Sequence, residues 1–309
     1  MVTATSTDGP AAVLQASDPP AELVCVSVLG LTRVSRAGQA FDRVDWLSGR
    51  GARVAALSAR HGRRVRLLSP PVGQDRDGTS ALAELRRAGV INCVGAAPGV
   101  VTPRRDVWIT GTGHVEVVDG HAPALEHLCG LDLSPLAGAA QVILDVDAQT
   151  SPLAVRVLQS LAGSQERGHW PAVALSFGGD RPPPTVVTAA RRVKPVLVHT
   201  SLPISRPDRA RALARLLVEV TGAELAIVTH GGTGVAMFLP GGEVLEPEVP
   251  AGLDEADGLA TGLITTALAR IHDARWRTHP RPGPGHHTVP RRPIRPAEVT
   301  RRSLLRAIP

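Results

Sequence analysis

The sequence predicts an α/β fold built around a mainly parallel sheet, on three observations. From residue 22 onward, short β-branched or Leu-rich runs alternate with helical stretches closed by glycine. Apolar residues make up 43% of the 309 residues, enough to cover both faces of such a sheet. No apolar run reaches the roughly eighteen residues of a membrane span, so the apolar content is expected to form a core.

Strands are expected at 23–29, 64–69, 141–146, 172–176, 195–199, 225–229 and 234–239, where Val, Ile and Leu dominate. The stretch 78–89 reads as a helix, with Leu82 and Leu85 inward, Arg86 and Arg87 outward, and Gly89 closing it. Residues 106–118 alternate with period two around Gly-Thr-Gly, which predicts a β-hairpin and a small secondary sheet attached to the body. Ser205-Arg-Pro-Asp208 reads as a capping box. The helix behind it has Leu213, Leu216, Leu217 and Val220 as its buried stripe and Gly222 as its C-terminal cap. Another helix opens at 254–257, with Leu259, Leu263, Ile264 and Leu268 apolar along it.

Charge divides the chain unevenly. The net charge is +6, but residues 271–309 hold nine Arg against Asp273 and Glu298, a balance of +7, which leaves the remainder near neutrality at −1. Residues 1–21 are expected to be an unstructured N-terminal segment, 22–270 the folded body, and 271–309 a basic Pro- and Arg-rich tail. The tail suits an acidic partner; the body gives no reason to expect nucleic acid, since aromatic residues are only 2% and Tyr is absent. Lys194 is the only lysine and does not end a glycine-rich loop, which excludes a Walker-type phosphate loop. Cys25, Cys93 and Cys129 form no C-x-x-C pair, and residues 1–20 lack the basic start and apolar run of a signal peptide, so a cytoplasmic protein is expected.

Three stretches, in order, resemble the PfkB carbohydrate kinases, the ribokinase-like family. Ser48-Gly-Arg-Gly-Ala-Arg53 is similar to that family's Gly-Gly-x-x-Ala-Asn turn. Val72-Gly-Gln-Asp75-Arg-Asp-Gly78 matches its Val-Gly-x-Asp-x-x-Gly turn. Thr229-His-Gly231-Gly-Thr-Gly234 is similar to its nucleotide loop, and Asp254-Glu-Ala-Asp257 stands where the family has Gly-Ala-Gly-Asp. The resemblance spans roughly residues 23–270. It implies a ribokinase-like α/β fold, a mostly parallel sheet between helices, with a small β lid to which the 106–118 hairpin contributes.

It also implies ATP, Mg²⁺ and phosphorylation of a hydroxyl on a sugar, nucleoside or related small molecule. By resemblance Asp257 is the catalytic base and the backbone N–H groups of Asp254, Glu255 and Ala256, with that of Asp257, form the anion hole. Thr229, Gly231 and Gly234 would hold the nucleotide; Gly49, Gly51 and Arg53 would hold the acceptor; a homodimer through the lid is the oligomer it admits. No metal ligand is assigned. His230 is expected as a partly exposed turn residue, and Asp145 and Asp147 as either loop caps or ligands of substrate or magnesium.

The departures are chemical. Arg53 replaces the family's Asn in a chain whose only Asn is Asn92, which puts a guanidinium in the acceptor pocket. The Asn-x-x-Glu expected after strand 195–199 is replaced by His199-Thr-Ser-Leu-Pro-Ile-Ser205, and Thr32 stands where an early Asp is usual. Two anion-hole glycines are Asp254 and Ala256. Two readings stay open: a small-molecule kinase of altered specificity, with Arg53 recognising an acidic or phosphorylated acceptor, or a non-catalytic kinase-fold protein with a nucleotide-binding, regulatory or interaction role. The acidic pattern at 254–257 also reads as an ordinary helix cap.

Overall fold

The computed structural model describes residues 22–36, 43–92, 94–109, 115–120, 125–202, 206–231, 234–239, 244–245 and 261–268. Its main sheet is made of β1 (Leu23–Val26), β4 (Val65–Leu68), β6 (Ile91–Asn92), β10 (Gln141–Val146), β11 (Ala172–Phe177), β12 (Leu197–Leu202), β13 (Ala226–His230), β14 (Gly234–Phe238) and β15 (Val244–Leu245). They lie in the order β15-β14-β13-β12-β11-β10-β1-β4-β6, and all neighbours from β6 to β13 are parallel. β14 and β15 add antiparallel to that edge. The near-continuous apolar sequences of β1, β10 and β11 suit strands buried on both faces.

Two apolar layers cover those faces. On one, Cys25, Leu67, Ile143, Ala174, Leu197 and Ile227 pack against α1 (Arg50–Arg60), α2 (Arg76–Ala88) and α7 (261–268). On the other, Leu144, Leu175, Val198 and Val228 meet α4 (Ser151–Glu166), α5 (Pro184–Val193) and α6 (Pro207–Thr221). Burial drives the pKa of the Cys25 thiol far above its ordinary value, and it behaves as a small core hydrophobe.

A second sheet forms the lid. β2 (Gly30–Arg36) lies between β3 (Arg43–Ser48), antiparallel, and β8 (Arg104–Ile109), parallel; β9 (Val115–Asp119) completes the order β3-β2-β8-β9. The expected hairpin is β8 with β9, paired antiparallel from Arg105↔Asp119 to Ile109↔Val115. A short parallel pair, β5 (Val72–Gly73) with β7 (Ala96–Ala97), leads toward it.

Four local expectations are revised. The first strand stops at Val26 rather than 29, as the chain turns there into the lid. β12 runs on to Leu202 instead of ending at 199, which brings Thr200 and Ser201 into the sheet beside His199. In α6, Ala210, Leu213, Ala214 and Leu217 are the buried stripe. Leu216 is 48% exposed, because the helix turns the face centred between 213 and 214 to the sheet, which leaves 216 roughly 110° away from it at about 100° per residue. His230 is buried, the last residue of β13 rather than part of an exposed turn. α6 starts at Pro207 with Arg206 at its cap and no side-chain cap bond, and it ends on Gly222 in the left-handed region. Ser205, the predicted cap, lies outside the described residues, as do residues 1–21 and the tail from 269.

Candidate functional site

In a parallel sheet the C-terminal strand ends form one edge, where ligands of open α/β sheets gather. Here that edge is polar in register. Asp145, Ser176 and His199 are Cα partners across β10, β11 and β12, so their side chains share the face covered by α1 and α7. Ser201 and Thr229 form the next row, two residues further along on the same face.

The N-terminus of α1 sits on this edge. Asp145 Oδ2 accepts from the backbone N–H of Arg50 at 2.7 Å, that of Gly51 at 3.4 Å and the Ser27 hydroxyl at 2.9 Å. A carboxylate there satisfies orphan N–H groups and complements the helix dipole. Gly49 holds φ +88°, and a Cβ on it would stand 2.3 Å from the Val28 carbonyl oxygen, so the turn that seats α1 admits only glycine. A Cβ's usual clearance is also exceeded at Gly51, 2.7 Å from the Ser27 Cβ.

Arg50, the residue between those glycines, reaches across the edge. Its Nη1 donates to Ser176 Oγ at 2.8 Å and to the Phe177 carbonyl at 3.0 Å. Ser176 Oγ lies 3.2 Å from His199 Nδ1, His199 Nε2 lies 3.4 Å from Thr229 Oγ1, and Thr229 Oγ1 lies 2.8 Å from Ser201 Oγ. Arg50 can only donate, so Ser176 accepts from it and keeps its own proton to donate to Nδ1. With that bond made, a neutral imidazole carries its proton on Nε2, toward Thr229. In this arrangement the chain of polar groups crosses three strands with one consistent direction. His199 is fully buried, which makes the hydrogen bonds at both nitrogens necessary.

The other predicted residues fall as follows. Arg53 is half-buried in the first turn of α1, its N–H on the Gly49 carbonyl, one turn beyond Arg50. Thr229 joins the polar chain, and Gly231 follows with φ +57°. Gly234 pairs with His230, whose ring covers its Cα: a Cβ there would lie 2.1 Å from His230 Cε1. That glycine is explained by packing. Asp147 Oδ1 accepts from the Thr150 N–H at 2.7 Å, and its own N–H donates to Thr150 Oγ1 at 2.8 Å, a loop cap at the start of α4. Thr32 is half-buried on lid strand β2, opposite Trp46. Asp254, Glu255, Ala256 and Asp257 lie outside the described residues, as do 232 and 233.

α7 nonetheless has a known direction. Leu268, its last described residue, accepts from Gln141 Nε2 at 2.7 Å, and Gln141 opens β10. Its C-terminal end is thus at the N-terminal side of the sheet. Eight residues of helix span about 12 Å, so Thr261 lies toward the polar edge.

The turn at 72–78 has a different task. Asp75 caps α2 by accepting from the Gly78 N–H at 2.7 Å, and it also accepts from the N–H and hydroxyl of Thr102 at 2.9 and 2.7 Å. Thr102 stands just before lid strand β8. Two residues on, Asp77 faces Arg33 at 3.4 Å and Arg104 at 3.8 Å, both lid residues. Partial burial opposes ionisation of Asp75, but the hydrogen bonds from Gly78 and Thr102 together outweigh it and hold its pKa below the ordinary carboxylate value. The turn anchors the lid to the body.

Sequence reading missed Arg50, Ser176, His199 and Ser201. A signal was present: single polar residues interrupt Gln-Val-Ile-Leu-Asp-Val and Ala-Val-Ala-Leu-Ser-Phe at the same distance from the strand start. Only register brings them together.

No family model matches the sequence, and no curated protein resembles it closely enough to count as a relative. Solved structures do match. The ribokinase of Giardia lamblia has 13% identity and a TM-score of 0.63, over 82% of this chain and 85% of that one. A PfkB protein from Polaromonas sp. JS666 has 19% identity and a TM-score of 0.58, over 81% and 89%. The Arabidopsis thaliana ribokinase complexed with ribose and ATP has 14% identity and a TM-score of 0.54, over 83% and 91%. With its sheet parallel from β6 to β13, its helices on both faces and its four-stranded lid, the chain has the ribokinase-like fold of the PfkB carbohydrate kinases.

Proposed function

We propose that the protein is an ATP-dependent phosphotransferase acting on a hydroxyl of a small polar molecule that also carries an acidic group. The observation that carries this reading is the polar chain from Arg50 through Ser176 and His199 to Thr229. It joins the turn at which an acceptor is expected to the turn at which a nucleotide is expected, at the strand ends where ligands of this architecture gather. Arg50 rather than Arg53 is then the arginine best placed to fix the acceptor, its guanidinium oriented by Ser176 and the Phe177 carbonyl.

In the proposed reaction Asp257 takes the proton of the acceptor hydroxyl as its oxygen attacks the γ-phosphorus. The bond to the bridging oxygen breaks and ADP leaves. The N–H groups at 254–257 would face the transferred charge. For Mg²⁺ the donor set fits poorly: among the described residues no three His, Cys, Asp or Glu side chains gather, and Asp145 and Asp147 are engaged by Ser27, α1 and Thr150. No step is therefore routed through it.

A second reading has its own support. Gly49, Gly51, Asp75 and Gly234, four of the residues that carry the family resemblance, are each explained by packing or capping within the chain. That favours a kinase-fold protein that keeps a nucleotide site for binding alone. Calorimetric titration with ATP, followed by a phosphate-transfer screen over sugars, nucleosides and their carboxylated or phosphorylated forms, separates the two. The kinase reading expects transfer that Asp257→Asn abolishes with nucleotide binding kept. It also expects a gain from Asp254→Gly combined with Ala256→Gly, since a carboxylate about 5 Å from the phosphoryl group opposes it by about 3 kcal/mol at an effective dielectric near 20. Binding without transfer in all these proteins establishes the second reading.

A further inference from the structure

Beside the polar chain lies a cavity of about 310 Å³, lined among the described residues by Gly178, Gly179, Asp180, Ser201, Leu202, Arg206 and Arg209. It opens between the ends of β11 and β12 and the start of α6, and Ser201 is common to it and to the polar chain. Its charge is cationic. Arg209 pairs with Asp180, the one carboxylate in the described lining, while Arg206 at the cap of α6 makes no ion pair with an acid among the described residues. Asp208, the next acid along α6, is turned outward, 98% exposed and paired with Arg211. The loop of Gly178 and Gly179 is fixed by its own bonds: the Gly178 N–H to the Val146 carbonyl at 2.7 Å, and the Gly179 carbonyl to the Thr200 hydroxyl at 2.7 Å. The cavity therefore combines a small, stiff glycine floor, a hydroxyl and two guanidinium groups, and among the described residues it lacks the cluster of carboxylates that a divalent cation needs.

We propose that this cavity binds a phosphoryl group through Arg206 and Arg209 without a divalent cation. Guanidinium groups suit this because each offers planar paired donors to phosphate oxygens, and Asp180 keeps Arg209 oriented until the ligand arrives. The phosphoryl group belongs either to the polyphosphate end of a nucleotide or to a phosphorylated acceptor. The proposal deepens the phosphotransferase reading and rests on it for the choice between these two sources, but the site itself does not require the reaction.

The test is calorimetry on the full chain in EDTA at about 150 mM salt, with tripolyphosphate, ATP, adenosine and a hexose phosphate as separate probes. Arg206→Ala, Arg209→Ala and the double variant are compared with wild type, and thermal unfolding checks that these exposed positions leave the fold intact. Tripolyphosphate is expected to bind without metal and to lose about 10–100-fold in affinity in the double variant, the worth of one or two charge-assisted contacts. Binding left in the double variant measures the contribution of the basic tail. The same loss with ATP but not with hexose phosphate assigns the site to a nucleotide; the reverse assigns it to the acceptor. Tight ATP binding that ignores both arginines, or phosphate binding only with Mg²⁺, overturns the proposal and leaves the kinase reading standing. Arginine-dependent binding of tripolyphosphate with ATP no tighter supports the site and removes the nucleotide. No anion binding at millimolar concentration overturns the proposal.

Discussion

Asp75 offers the sharpest separation of fold from chemistry. Asp75→Ala removes one carboxylate that serves three donors: the Gly78 N–H, the Thr102 N–H and the Thr102 hydroxyl. Loss of the cap costs about 1 kcal/mol. Thr102 is only 2% exposed, so its N–H is left buried without its acceptor, a further penalty of about 1–3 kcal/mol. The hydroxyl loses its acceptor too but still accepts from the Gly73 N–H at 3.0 Å, which limits the loss. A total of about 2–4 kcal/mol lowers Tm by roughly 5–12 °C in a body of this size. Asp75→Asn keeps one acceptor oxygen and should lose about half as much. The pH dependence has a definite sign. The folded-state pKa of Asp75 lies below its ordinary 3.8, so its contribution is complete above about pH 5 and declines as pH falls through the folded value. Urea midpoints at pH 6, 4.5 and 3.5 should therefore show the gap between wild type and Asp75→Asn narrowing at the lowest pH. Faster proteolysis within the lid should accompany the destabilisation, because Thr102 leads into β8. An Asp75→Ala protein with unchanged Tm and lost nucleotide binding would refute this account and make the turn part of the chemistry.

Other perturbations probe the edge and the tail. Gly234→Ala places a Cβ against the buried His230 ring and should destabilise by about 1–3 kcal/mol, read from urea unfolding, with most of the loss recovered when His230→Ala is added. His199→Phe interrupts the polar chain between Ser176 and Thr229. It should cost about 1–2 kcal/mol by the same measurement, and an unchanged midpoint would show that the chain contributes no stability. Removing residues 278–309 takes away seven arginines, and heparin retention should fall with a weaker salt dependence while Tm stays within error; a large drop in Tm would show that the tail docks on the body.

The parts of the fold legible in sequence were those written as local patterns. β10, β11 and β13 follow from apolar runs, α2 from its Leu spacing and Gly89, and the lid hairpin from its alternation around glycine. The site was less legible. Arg53 stood out because it replaces an Asn in a motif, yet Arg50, inside the same motif, reaches the strand ends. The difference is one of helix geometry: Arg53 stands one turn further from the strand ends than Arg50, and sequence alone does not say which of the two reaches the sheet edge. His199 and Ser176 were invisible for another reason. Each is a lone polar residue in an apolar strand, and its meaning depends on pairing with strands more than twenty residues away.

Electrostatics links the two ends of the polar edge. Asp145 holds the start of the helix that carries Arg50, and its charge is met by two α1 N–H groups and the Ser27 hydroxyl. Asp180 is matched by Arg209, and Asp147 is turned to Thr150. Arg50 meets this edge at Ser176 and the Phe177 carbonyl, and Arg206 lines the cavity that Ser201 shares with the polar chain. A ligand with a single negative group needs one of them. On the proposed function, a ligand that bridges both carries anionic groups at two points, as a phosphorylated nucleotide and an acidic acceptor do together. On the proposed function, the acids at 254, 255 and 257 would work against such a ligand, since a carboxylate beside an anionic group cancels part of the field on which that group draws.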